Sequence, residues 1–173
     1  MIRGTRGMVV LRLGDDISTD IIYPGRFMAT VLPTETPQFA FADLPTFNAR
    51  LAAGELPKGA MIVAGSNFGC GSSREQAASC LRGHELTVIA KGFARIFLQN
   101  AINLGLRIVC CPTIDAAEGD DLELGGDAIV NRTTGKTFAI TPLPKARQAI
   151  IDAGGLVPYT RRLLVEREVV KTG

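Results

Sequence analysis

Four short apolar runs punctuate the chain: MVVLRL at residues 8–13, AMIVA at 60–64, LTVIA at 86–90 and RIVC at 107–110. Runs this brief, without sustained polar alternation, predict strands buried on both faces. Stretches with helical spacing separate the last three. Residues 73–82 form one, and residues 93–104 the other, with Phe93, Ile96, Phe97, Ala101 and Leu104 recurring on one face that is expected to pack inward. Strand, helix, strand, helix, strand from 60 to 110 predicts right-handed parallel crossovers.

The remaining pattern is different. Residues 122–124, 128–131 and 137–140 read as brief strands between polar flanks, with NRTTGK as the turn between the last two and Gly135 free to take a positive φ. PLPKARQAIIDAGG reads as a helix opened by proline and closed by Gly154 and Gly155. A parallel unit joined to small antiparallel strands predicts one α/β domain over residues 1–173, built on a mixed sheet. Residues 23–45, with four prolines, are the longest irregular stretch, and loops of that length are usually functional or mobile.

Composition narrows the possible partners. An apolar fraction of 46% and a charged fraction of 21% are those of a soluble globular protein. The net charge is only +2, and in the tail Arg161, Arg162, Glu166, Arg167, Glu168 and Lys171 alternate in sign as on a solvated helix face. No nucleic-acid partner is expected. No run approaches a membrane span, and Arg12 interrupts an apolar start too short for a signal peptide, so a cytoplasmic protein is expected. Cys70, Cys80, Cys110 and Cys111 show no C-x-x-C spacing, and His84 is the single histidine. Neither metal nor cofactor is expected to be held by this chain.

The stretch GSNFGCGSSREQAASC, residues 65–80, carries the candidate chemistry. It lacks the lysine and spacing of a phosphate loop. As a thiol site it offers Cys70 without a histidine or a paired cysteine, so a small buried residue is the simpler reading. Ser72-x-x-Glu75 fits a capping box, which is the ordinary use of such a serine. A helix start also favours anions, and a serine beside glycines could there be stabilised as an oxyanion. Arg74 adds a planar fork suited to a carboxylate. The loop follows an apolar strand, at the sheet end where ligands gather in α/β folds.

NFGCGSSREQA closely resembles the GSSRE signature of the aconitase superfamily, in particular the small subunits of isopropylmalate dehydratase and homoaconitase. GDDISTDIIYPGRFM, IAKGFARIFLQNAINLGL and IIDAGGLVPY are similar, in order and spacing, to three further blocks of that family. The resemblance implies a single β/β/α swivelling domain that works only with a separately encoded large subunit. That partner would hold a [4Fe-4S] cluster on its own cysteines. The implied activity is a hydro-lyase reaction on a hydroxy di- or tricarboxylate, dehydration followed by rehydration at the neighbouring carbon. Carried over by position, Ser72 matches the catalytic base, Arg74 the arginine that grips a substrate carboxylate, and Ser73 the neighbouring hydroxyl. Asp20 matches an active-site aspartate, taken here as charge balance for the arginines. Gln76 stands where the family usually has histidine, and glutamine cannot take up a proton near neutral pH.

The loop after Gly25 is where relatives differ by substrate. Here Arg26, Phe27, Met28 and Ala29 line it, and an apolar pocket of the last three would suit a branched alkyl group, at about 0.8 kcal/mol per buried methylene. That favours isopropylmalate and leucine biosynthesis over homoaconitate or another alkylmalate such as citramalate. A non-catalytic carboxylate-binding module on the same fold is the alternative from another class.

Overall fold

The computed structural model describes residues 4–171, so Met1–Arg3 and the last two residues of the expected domain lie outside it. Its centre is β1 (Thr5–Arg12). On one side β1 pairs in parallel with β2 (Met61–Ala64), followed by β3 (Thr87–Ala90) and β4 (Arg107–Cys110). On the other side it pairs antiparallel with β5 (Asp121–Leu124), then β6 (Ala128–Asn131) and β7 (Thr137–Ala139). The order in the seven-stranded sheet is β4-β3-β2-β1-β5-β6-β7. The expected mixed sheet, parallel crossovers beside small antiparallel strands, is the one observed.

The two halves differ because their sequences do. Every residue of β2 and β3 is buried, as parallel strands covered on both faces require, whereas β5 and β6 alternate half-buried and buried positions. The Thr141 N–H donates to the Cys110 carbonyl at 2.8 Å and bridges the two edges of the sheet. The sheet thus curls back on itself, which shields edges that would otherwise be open to pairing. One face carries an apolar core of Val9, Met61, Ile89, Val109, Leu122 and Phe138. The other face, with Val10, Ile62 and Val88, is covered by helices.

Those helices are α1 (Thr19–Ile22), α2 (Pro45–Ala52), α3 (Glu75–Gly83), α4 (Arg95–Leu104), α5 (Lys145–Asp152) and α6 (Leu156–Lys171). Among the described residues, none is long and apolar enough to cross a membrane. The expected face of α4 needs one correction. Phe97 and Ala101 are buried, but Ile96 is 46% exposed, because its side of the helix turns away from the core. The expected turn at NRTTGK is present, with Gly135 at φ +77. Arg162 and Glu166 approach at 3.9 Å along α6, while the side chains of Arg167, Glu168 and Lys171 lie outside those described.

The long irregular stretch is more anchored than its composition suggests. It contains two short 3-10 turns, Gly25–Phe27 and Thr36–Phe39, and it sinks Tyr23 and Phe41 completely into the core. Only its middle, residues 31–35, is exposed throughout.

Candidate active site

The connection from β2 to α3, residues 65–74, is gripped from two sides. On one side the segment after β1 runs alongside it. Ser66 N–H donates to Asp15 Oδ1 at 2.6 Å, Gly69 N–H to the Ile17 carbonyl at 2.7 Å, and Thr19 N–H to the Cys70 carbonyl at 2.8 Å. On the other side Phe68 N–H donates to the Gly92 carbonyl at 3.0 Å, and the Phe68 ring meets Phe93 and Phe97 edge-on. Gly69 sits at φ +81, and a Cβ there would lie 2.2 Å from Phe97 Cγ. Only glycine meets both demands.

At the end of this connection the sequence expectation and the structure part. The helix begins at Glu75, two residues later than expected, and its N-cap is Arg74, without a side-chain cap bond. The capping box between Ser72 and Glu75 is not made. Thr19 Oγ1 donates to the Ser72 carbonyl at 2.9 Å, and Arg74 N–H donates to the same oxygen at 2.8 Å. These bonds hold Ser72 in the loop, outside capping geometry. Ser72 and Ser73 are both exposed, and the Ser72 hydroxyl is not taken up as a cap.

Arg74 and Asp20 meet beside these serines. Arg74 Nη1 donates to Asp20 Oδ1 and, at 3.3 Å, to the Tyr23 carbonyl. Asp20 Oδ1 also accepts from Gly25 N–H at 2.9 Å. The Arg74 hydrogen bond first, and the Gly25 N–H second, hold the Asp20 carboxyl below the ordinary aspartate range. Arg74 Nε is buried without a partner among the described residues.

The substrate-loop candidates follow. Arg26 forms a two-pronged pair with Asp43, and its guanidinium lies 4.6 Å from the centre of the Phe27 ring. Phe27 in turn stacks on Phe39 with centroids 4.2 Å apart. Phe27 is half-buried in that stack, and Met28 and Ala29 beyond it are both exposed. Gln76, in the first turn of α3, donates from Nε2 to the Met28 carbonyl at 3.4 Å, a marginal contact. Three clefts, of about 240, 450 and 370 Å³, are lined by other residues. Ser72, Ser73, Asp20, Arg26, Met28 and Ala29 lie on open surface, whereas the Arg74 side chain is only 15% exposed.

Among the described residues, no three His, Cys, Asp or Glu side chains gather as a metal site. All four cysteines are free, with Cys80 and Cys111 buried, and burial pushes both thiols up. Such thiols resist becoming thiolate ligands. His84 is spent elsewhere, its Nε2 2.9 Å from the Pro37 carbonyl. Sequence reasoning missed Thr19, Gly25 and Asp43, whose partners are distant in the chain or ambiguous in any local pattern.

Known proteins are similar to this chain in sequence and in fold. The model of the aconitase C-terminal domain matches residues 46–110. The 3-isopropylmalate dehydratase small subunit of Methanosarcina mazei is 44% identical over 161 residues, covering 90% of this chain and 96% of that protein. The isopropylmalate/citramalate isomerase small subunit of Methanocaldococcus jannaschii is 39% identical, covering 92% and 95%. A crystal structure of 3-isopropylmalate dehydratase from the same organism superposes with a TM-score of 0.86 at 36% identity, covering 98% of this chain and 99% of that one. Sequence kinship over nearly full length and a shared fold lead to the same assignment: the chain belongs to the 3-isopropylmalate dehydratase small-subunit family, within the aconitase superfamily.

Proposed function

We propose that this chain is the small subunit of a 3-isopropylmalate dehydratase, a cytoplasmic hydro-lyase that interconverts 2- and 3-isopropylmalate in leucine biosynthesis. In each direction a proton and a hydroxyl leave neighbouring carbons as water, and water returns with the two positions exchanged. The observation that carries the reading is an exposed Ser72, released from helix capping and held beside the Arg74–Asp20 pair.

Ser72 acts on the proton next to a substrate carboxylate. A serine hydroxyl is a weak base at neutral pH, so its alkoxide needs a local field. The start of α3 contributes N–H groups and partial positive charge, and Arg74, itself paired with Asp20, stands one residue before it. Arg74 and Arg26 hold substrate carboxylates, Ser73 orients one of them, and Asp20 balances Arg74. Phe27, Met28 and Ala29 offer no charged group, which favours a branched alkyl substituent over an additional carboxylate.

The open face calls for a second wall, and the large subunit supplies it in this reading. A [4Fe-4S] cluster belongs to that partner. The cysteines here, two of them buried and none gathered with other ligands among the described residues, do not fit it, so no step of this chain is routed through the cluster.

Co-expression with a cluster-bearing large subunit tests the whole reading. The complex is expected to turn over isopropylmalate faster than citramalate or homoaconitate, with no activity from this chain alone. A preference for homoaconitate would overturn the substrate, and a large subunit equally active without this chain would overturn the catalytic role.

A further inference from the structure

We propose that Asp43 is a positioning residue for Arg26: it fixes the guanidinium so that its free edge meets a substrate carboxylate. This inference rests on the reading of Arg26 as a substrate-binding residue. The two residues lie at opposite ends of the long loop, 17 positions apart. Arg26 Nη1 donates to Asp43 Oδ2 at 3.1 Å, and Nη2 to Oδ1 at 2.5 Å.

Such end-on pairing uses one N–H from each terminal nitrogen. A guanidinium has five, so Nε and the outer N–H groups stay available, and they form a second two-pronged edge. Both side chains are 53% exposed, so the pair stands open to solvent. A pair this open contributes little to stability. Orientation is what it can supply.

Asp43 can serve as a fixed point because the segment around it is anchored. Phe41, two residues earlier, is wholly buried and donates its N–H to the Ile22 carbonyl at 2.8 Å. Asn48 Nδ2 donates to the Gln38 and Ala40 carbonyls at 3.0 and 2.8 Å, and the Thr36 and Ser79 hydroxyls lie 2.9 Å apart in the interior. Arg26 instead precedes the exposed stretch of the loop. The Phe27 ring restrains one side of its guanidinium, and Phe39 backs that ring from the anchored segment. Asp43 and Phe27 together therefore confine a long side chain that would otherwise lose rotamer freedom on binding substrate.

The test is steady-state kinetics on isopropylmalate with the assembled complex carrying Asp43→Asn, Arg26→Gln or both, beside urea unfolding of this chain. Asp43→Asn is expected to raise KM about five- to tenfold with kcat within twofold and an unchanged urea midpoint. In the Arg26→Gln background it is expected to add less than twofold. An unchanged or lowered KM in Asp43→Asn, when Arg26→Gln raises it, would overturn the positioning role alone. Independent, multiplying effects would also overturn it. An unchanged KM in Arg26→Gln would instead sink the substrate-binding reading of Arg26, and this inference with it.

Discussion

Arg74 and Asp20, 54 positions apart, form one ion pair with unequal faces: the guanidinium side chain is 15% exposed and the carboxylate side chain 63%. A mostly buried cation is thus steered by a partner that solvent reaches. Gly25 permits the arrangement, since a Cβ there would stand 3.0 Å from Arg74 Nη2 and 3.2 Å from Asp20 Oδ1.

Replacing Arg74 by Lys keeps the charge and loses the planar fork. In the assembled enzyme, kcat/KM should fall about a hundredfold, equivalent to nearly 3 kcal/mol of lost transition-state binding. Gly25→Ala should displace the pair by a few tenths of an ångström and lower kcat/KM less, with little change in unfolding. Wild-type kinetics in Arg74→Lys would show that a point charge suffices there.

Ser72→Ala separates catalysis from capping. With Arg74 at the N-cap, the substitution should leave stability within about 0.5 kcal/mol. Loss of a real cap would cost about 1 kcal/mol. Turnover of the complex should fall by roughly 10²–10⁴. A destabilised variant with near-normal turnover would reverse both statements, and urea unfolding beside the kinetics distinguishes the outcomes.

Gly69→Ala should be the opposite case. A side chain at φ +81 is strained, and its Cβ would overlap the Phe97 ring that braces Phe68. Destabilisation should exceed ~2 kcal/mol, from backbone strain and overpacking together. A shift of a few tenths in the thermal or urea midpoint would mean that Phe97 moves freely, against its buried, stacked position.

Asp20 should titrate low. Its folded-state pKa lies below the unfolded value because Arg74 and the Gly25 N–H favour the charged form. The pair is accordingly complete at every pH above the unfolded value, about 3.9, and dissolves only as pH falls through the depressed one. Carboxyl carbon NMR should place the midpoint below the ordinary aspartate value in the wild type and return it toward that value in Arg74→Gln. An acid limb of activity near pH 5–6 would then belong to another group.

Much of this molecule could be read from one dimension. The strands at 60–64 and 86–90 announce themselves because covering both faces favours apolar residues, and 107–110 does so through its buried Ile108 and Val109 although Arg107 is exposed. The brief antiparallel strands were legible from their polar flanks and from the glycine turn between the last two. The family blocks likewise pointed to Ser72, Arg74 and Asp20.

Local pattern failed where a distant bond outweighs a near one. Ser72-x-x-Glu75 has every local qualification for a capping box, yet Thr19, 53 positions away, takes hold of the Ser72 carbonyl and the helix starts later. Asp43 carries no local mark, because what matters about it is Arg26 on the far side of a loop. The seam between Cys110 and Thr141 is equally silent in the sequence. Periodicity and turn chemistry, being short-range, were set by the chain itself. Which carboxylate met which arginine, and which serine was left uncapped, depended on where the folded core brought separate segments together.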